Sequence, residues 1–199
     1  MAVDVSSYQG AVDWDKVYAA GVRRAYVKWG EFYSGQYRLD VRALRNLGEA
    51  RRIGVEVGVY FFAHPSRPPQ ESARWFLRSA QAQLQAGDLP PALDLEVQEG
   101  IGWPELNDWK AAWFAAVDGE VDCRCVFYSY RSFIDRMVLY PDRPVWGAAP
   151  DRGFVPPARW SIHQYSFTGR VDGISTAVDL DRFLKDVPRI GSGLPTKGA

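Results

Sequence analysis

The sequence predicts an α/β fold, a TIM-like barrel of eight strands with an incomplete helical ring. Three observations predict it. Five short apolar runs are each followed by a stretch with helical spacing, which implies parallel strands joined by right-handed crossovers. Three more strand-like runs then follow with no convincing helix between them, bringing the strands to the number that closes such a barrel. The 199 residues suit one domain and are few for a complete barrel, which fits the missing helices. An open doubly wound sheet is the competing architecture. It lacks support, because no glycine-rich phosphate loop follows the first strand.

The elements follow in order. Residues 2–6 (AVDVS) alternate as a first strand. Asp13 is placed to cap a helix over 14–20, which Gly21 ends. Residues 25–29 (AYVKW) are a second strand. Asp40 reads as the N-cap of a helix to Arg52, with Leu44 and Leu47 on one face and Gly54 as the stop. Residues 55–62 form the third strand. A Pro-rich turn over 64–69 leads to a helix through Ala86. The fourth strand is 92–97 (ALDLEV). Pro104 sits in the first turn of the next helix, which runs to about Val117. Residues 123–128 (CRCVFY) make the fifth strand, and a short helix covers 131–138. Strands at 145–148, 161–165 and 177–180 complete the set, with a last helical piece at 181–187. Residues 1–187 are thus expected to form the barrel. Residues 188–199 (PRIGSGLPTKGA) read as a linker or disordered tail.

Composition excludes several classes of function. Lysine plus arginine equals aspartate plus glutamate, 24 each, so there is no net basic field for nucleic acid. The longest apolar stretch, 57–63, is far short of the ~20 residues that a membrane helix needs, so no membrane insertion is expected. Met1 leads straight into a strand, so no signal peptide is expected. Cys123 and Cys125 are too few for a disulfide framework, and with His64 and His163 they show no metal-ligand spacing. No cofactor and no metal are expected. The eight Trp, ten Tyr and ten Phe are a surplus that suits stacking on flat ligands such as sugar rings.

A barrel of this kind works at the carboxyl ends of its strands. Standing there are Asp4, Glu31, His64, Asp94, Glu96, Tyr128, Tyr130, Trp146, Gln164, Tyr165, Asp179 and Asp181. Asp94 and Glu96 are two apart, so both point into the barrel while Leu95 faces the helices. Two carboxyl groups in one closed space raise one pKa, as a general acid near neutral pH requires. Glycoside cleavage needs such an acid together with a second, charged carboxylate. Asp4 lies between Val3 and Val5, and Asp179 between Val178 and Leu180, so both face inward. Asp181 reads equally well as an inward acid or a helix cap. Tyr60 and Trp146 read as sugar platforms at the rim, and His64 as a loop residue.

Seven motifs then carry a resemblance. They are Val3-Asp4-Val5-Ser6-Ser7-Tyr8-Gln9-Gly10, Gly58-Val59-Tyr60-Phe61-Phe62, Ala92-Leu93-Asp94-Leu95-Glu96, Val126-Phe127-Tyr128-Ser129, Val145-Trp146-Gly147-Ala148, Gln164-Tyr165 and Val178-Asp179-Leu180-Asp181. In this order they resemble the glycoside hydrolase family 25 lysozymes, the Chalaropsis-type muramidases common among phage endolysins. The resemblance implies a (β/α)5β3 barrel that hydrolyses the β-1,4 bond between N-acetylmuramic acid and N-acetylglucosamine in peptidoglycan. It implies Glu96 as proton donor, Asp94 as its carboxylate partner, and Asp4 and Asp179 as the rest of the acidic cluster. Tyr60, Phe62, Tyr128, Trp146, Gln164, Tyr165 and Glu31 are the expected substrate contacts. His163 and the segment Lys28-Trp29-Gly30-Glu31 depart from the family's usual residues.

The implied partner is the glycan strand of the bacterial cell wall, attacked by a monomer. A cell-wall-binding domain after the tail fits that reading. So does synthesis in a host cytoplasm followed by release through a separate holin-type pore, or carriage in a virion. Three rivals are kept. One is a non-catalytic glycan-binding barrel. Another is a chitinase-like hydrolase, which would want aspartates where Leu89 and Ala92 stand. The third is a thiol endopeptidase pairing Cys123 or Cys125 with His163.

Overall fold

Alternation at period two shapes the strands, and they close on themselves. The structure, a computed structural model, describes residues 1–191. Its elements are β1 (Ala2–Val5), a 3-10 turn (Ser7–Gln9), α1 (Trp14–Ala19), β2 (Arg24–Tyr33), β3 (Gln36–Leu39), α2 (Ala43–Arg52), β4 (Glu56–Phe62), α3 (Pro69–Ala80) and β5 (Ala92–Asp94). Then come α4 (Trp103–Val121), β6 (Val126–Tyr130), α5 (Arg131–Ile134), β7 (Val145–Ala148), β8 (Ile162–Gly169) and β9 (Val178–Phe183). Strands β1, β2, β4, β5, β6, β7, β8 and β9 follow one another around a barrel, which β1 closes by pairing with β9. The expected eight strands and five following helices are therefore present.

Two layers of core result. Val3, Val5, Val27, Val59, Phe61, Leu93, Leu95 and Phe127 point outward and pack under the helices with Trp113, Phe76 and Leu47. Inside the barrel lie Tyr26, Ala92, Val126, Tyr128, Trp146, Ala148 and Ile162. Large and small residues must alternate in so narrow a lumen. At Gly58 a Cβ would stand 2.5 Å from the Tyr26 ring, so this strand position has no room for a side chain.

Several elements differ from expectation. The eighth barrel strand, β9, is antiparallel to both neighbours, so its beginning, not its end, lies at the rim where the parallel strands end. No helix forms at 181–187. The chain stays extended through Phe183, because Asp179 and Asp181 both turn inward at strand spacing. The second strand is longer than expected and folds back as the hairpin β2–β3. Ser34 and Gly35 make that turn with φ of 50° and 83°, as two-residue hairpins require.

Helix α3 stops at Ala80, short of Ala86. Arg51 holds the Gln83 carbonyl at 3.1 Å, and the Asp88 carboxylate takes the Gln85 N–H at 2.9 Å. Helix α4 continues to Val121 and ends at Asp122, which is left-handed with φ 48°. Cys123 and Cys125 precede β6, since the Cys125 N–H donates to Asp118. Helix α5 is only four residues long. The chain stays on the barrel through Ile190, whose N–H and carbonyl pair with Asp88 and Gly87. The expected tail is thus anchored at its start, and 192–199 lie outside the described residues.

Helix α4 is fixed by one buried carboxylate. Asp118 accepts from Cys125 N at 2.9 Å, Arg143 Nη2 at 2.7 Å and Arg124 Nη1 at 3.1 Å. The Arg143 guanidinium also stacks 3.5 Å from the Phe114 ring centre. Asp118→Ala leaves Arg143 buried without its counter-charge, so a loss of about 3–5 kcal/mol is expected in urea unfolding. A loss below about 1 kcal/mol, the value of an exposed pair, would sink this account.

Candidate active site

The acids gather because their strands end together. The carboxyl ends of β1, β2, β4, β5, β6, β7 and β8 and the start of β9 surround a cleft of about 420 Å³. Asp4 and Ser6 enter from β1 and the residue after it, Lys28 from β2, and Tyr60 and Phe62 from β4. Asp94 ends β5. Glu96 lies two residues on, outside the strand but still extended enough to share the face of Asp94. Tyr128 and Tyr130 come from β6, Trp146 from β7, Phe167 from β8 and Asp179 from β9. All four acids expected from the sequence meet here.

Burial governs their chemistry. Asp4 is pushed up to about 8, by burial first and then by the charge of Asp179. Burial and the neighbouring Glu96 raise Asp94 well above the usual carboxylate range. Glu96 rises to about 6 through burial, and the nearby Tyr130 hydroxyl offsets part of the rise. Asp179 also rises to about 6 through burial. Tyr60 stands among them, and burial together with the charges of Asp4 and Asp94 raises its phenol. Glu96 Oε2 and Asp94 Oδ1 are buried and have no hydrogen-bond partner among the described residues. Buried carboxyl oxygens without partners are costly, and they mark where a polar ligand would be satisfied.

Not every expected contact reaches the cleft. Trp146 lines it but is only 2% exposed; its ring stacks on Tyr26 with centres 4.7 Å apart, so it is the floor and not an open platform. Gln164 lies beneath the cleft, donating to Asp4 Oδ2 at 2.7 Å and accepting from Tyr128 at 2.8 Å. Tyr165 turns away, because its neighbour Gln164 takes the inward position; Arg182 lies 5.3 Å from its ring centre. Glu31 is spent on Lys28, at 3.0 Å, and Lys28 takes the place at the cleft.

The cleft also holds Ser6, Lys28, Tyr130 and Phe167, which were not expected as contacts. Tyr130 and Phe167 pair edge to face at 6.1 Å and remain more than a third exposed, so they are the open aromatic wall. The sequence placed Tyr130 at the rim without naming it a contact. Phe167 was not placed there, because it depends on how far β8 extends. His64 is held by Glu99, which accepts from it at 2.5 Å and from Ser66 at 2.6 Å. His163 is buried and bonded to the Ala149 carbonyl at 2.9 Å. The thiols of Cys123, pushed up to about 12, and Cys125, also raised by burial, are buried and disfavour the thiolate. The thiol-peptidase reading therefore fails.

Comparison with known proteins agrees with this geometry. Residues 3–174 match the family described as Glycosyl hydrolases family 25. The chain belongs to that family. It is similar to lysozyme M1 of Streptomyces globisporus, 27% identical over 208 residues that cover 94% of this chain and 69% of that protein. It is also similar to the autolytic lysozyme of Clostridium acetobutylicum, 29% identical, covering 93% of this chain and 56% of that protein. Among solved structures, the bacterial lysozyme of Streptomyces coelicolor superposes with a TM-score of 0.82 at 27% identity, covering 92% of this chain and 91% of that one. The motifs in the sequence pointed to the same family 25 barrel.

The raised acids make the fold sensitive to pH. A carboxyl whose folded pKa exceeds its unfolded value binds more protons in the native state. Its contribution is whole below about pH 4 and is lost as pH rises through 6 and 8 for Glu96, Asp179 and Asp4. Urea midpoints are therefore expected to fall between pH 5 and pH 9, apart from any other titration. Asp4→Asn should flatten the decline at its alkaline end. An unchanged slope in that variant would refute the burial argument for Asp4.

Proposed function

We propose that this family 25 glycosyl hydrolase is a peptidoglycan muramidase with Glu96 as its proton donor. The observation that carries the assignment is Glu96 itself. It lies at the rim of a cleft with three other acids, and burial holds its carboxyl at about 6. It is thus protonated in part near neutrality, as leaving-group protonation requires. Its similarity to two lysozymes supports the β-1,4 bond between N-acetylmuramic acid and N-acetylglucosamine as the one cleaved. In this reading a monomer works on the glycan strands of the bacterial cell wall.

The chemistry runs as follows in this proposal. Glu96 gives its proton to the glycosidic oxygen, and the bond from that oxygen to the anomeric carbon breaks. The carbonyl oxygen of the substrate's own 2-acetamido group attacks that carbon, and Asp94 orients the group. Water then adds to the anomeric carbon, returns a proton to Glu96 and reopens the ring. Buried and raised well above the usual range, Asp94 is poorly suited to act as a free anionic nucleophile. Its unpartnered Oδ1 suits a hydrogen bond to the acetamido group. Asp179, with its carboxyl at about 6, is largely ionised near neutrality and supplies negative charge beside the positive anomeric centre, with Asp4 next to it. Tyr130 and Phe167 offer the exposed faces for sugar stacking.

Glu96→Gln is expected to lower kcat on purified peptidoglycan by about 10²–10⁴-fold, the usual share of general acid catalysis, with unchanged circular dichroism. A folded, fully active variant would remove Glu96 from the role. Wild-type digests reduced with borohydride should yield fragments that end in reduced muramic acid by mass spectrometry. Ends in reduced glucosamine would overturn the bond assignment. Proton NMR of fresh product should show retention at the anomeric carbon, and prompt inversion would replace the acetamido step by direct attack of water.

A further inference from the structure

A fifth acid, Asp181, stands beneath the four that line the cleft. It lies on β9 opposite Ala2 of β1 and Gln164 of β8, and is only 2% exposed. Its Oδ1 accepts the Trp146 indole N–H at 2.8 Å, while its Oδ2 has no donor among the described residues. Asp4 is its neighbour on the inner face: Asp4 and Asp179 pair one inward step along β1 and β9 from Ala2 and Asp181, and Gln164, which stands opposite Asp181, donates to Asp4 Oδ2.

Among the described residues the charged groups near the pair are engaged elsewhere, Lys28 at the cleft with Glu31 at 3.0 Å. Gln164 of β8 gives its amide to Asp4 Oδ2 at 2.7 Å and is neutral. Trp146 of β7 has a single N–H, already used. Tyr26 of β2 stacks on Trp146 and donates its hydroxyl to the Pro90 carbonyl at 3.0 Å. Asp179 of β9 adds a like charge. On the floor side, Glu56 engages Arg24 at 3.1 Å and Arg189 at 2.8 Å. Arg23 binds the carbonyls of Tyr18 and Val22, and Arg182 lies over Tyr165. Two ionised carboxylates at this depth would repel with no partner between them. One proton between them turns the same contact into a hydrogen bond.

We propose that Asp181 is a positioning residue that shares one proton with Asp4 and holds it beneath the cleft, with a single negative charge spread over both carboxyls. The proposal rests on the reading of Asp4 as part of the catalytic cluster. The pair titrates as a unit. It loses its shared proton only on the alkaline side of neutrality, where a second charge then appears under Glu96 and Asp179.

Asp181→Asn tests this directly. The amide keeps the shape, accepts from Trp146 and donates permanently to Asp4, so the charge is confined to Asp4 and no shared proton remains to be lost. Wild type and variant are compared in kcat against pH on purified peptidoglycan, and in carboxyl titrations by NMR with 13C-labelled aspartate. The expected result is loss of one alkaline aspartate titration in the variant and an upward shift of its alkaline limb of kcat. A merely structural role would lower the unfolding midpoint and leave the pH profile superposable on wild type, which would overturn the proposal.

In wild type, Asp4 and Asp181 should give carboxyl signals that titrate together. Both titrating independently in the ordinary carboxylate range would also overturn it, even if the variant does not fold. Failure of the wild type to cleave peptidoglycan would instead sink the muramidase reading, and the carboxyl titration would still decide the pair.

Discussion

The acid-lined rim depends on the closure of the barrel at β1. Four residues make that closure, parallel to β2 on one side and antiparallel to β9 on the other. It sets Asp4 opposite Asp179, residues that lie at the two ends of the chain. Such a contact joins residues far apart in sequence, so closing it carries a high entropic cost. Without the closure the sheet would be open, its edges wet and its acids ordinary surface carboxylates. With it the acids share a low-dielectric space in which protons are held and charges are few.

An aromatic layer floors that space. Trp146 lies between Tyr26 and Tyr128, with ring centres 4.7 Å from each, directly under the acids. The aromatic surplus of the sequence is thus spent mainly inside. Phe61, Phe76 and Trp113 form a second cluster outside the sheet. Few of the rings face solvent at the rim. Composition hinted at sugar recognition, but most of the rings answer to packing, and among the described residues only Tyr130 and Phe167 are both more than a third exposed and placed at the cleft.

Much of the fold and of the acid cluster was legible because both rest on short-range rules. Period-two alternation gave the inward direction of Asp4, Asp94 and Asp179. That direction carries on to Glu96 even though β5 ends at Asp94, because the Leu95 N–H still bonds the Tyr128 carbonyl of β6 and Leu95 packs outward. The direction of β9 was not legible. Alternation is the same whichever way a strand runs, and only the lack of a crossover helix before it bears on the matter. The β2–β3 hairpin carried a signal, Ser34-Gly35 between aromatic and apolar residues, which the stronger helix pattern after Asp40 obscured. The fates of Tyr165 and Glu31 depended on a neighbour, Gln164 in one case and Lys28 in the other, that took the position at the cleft. Such competition is decided in three dimensions.

The antiparallel last strand has a consequence for the geometry of attachment. Because β9 begins at the rim and runs downward, the chain returns to the floor, where Ile190 pairs with Gly87 and Asp88. Met1 lies on the same floor, beside Arg23 and Glu56. Both ends of the described chain therefore point away from the cleft. A surface tether or fused partner joined at either end would leave the rim free to face an insoluble polymer, as a tool gripped by its handle leaves its edge exposed.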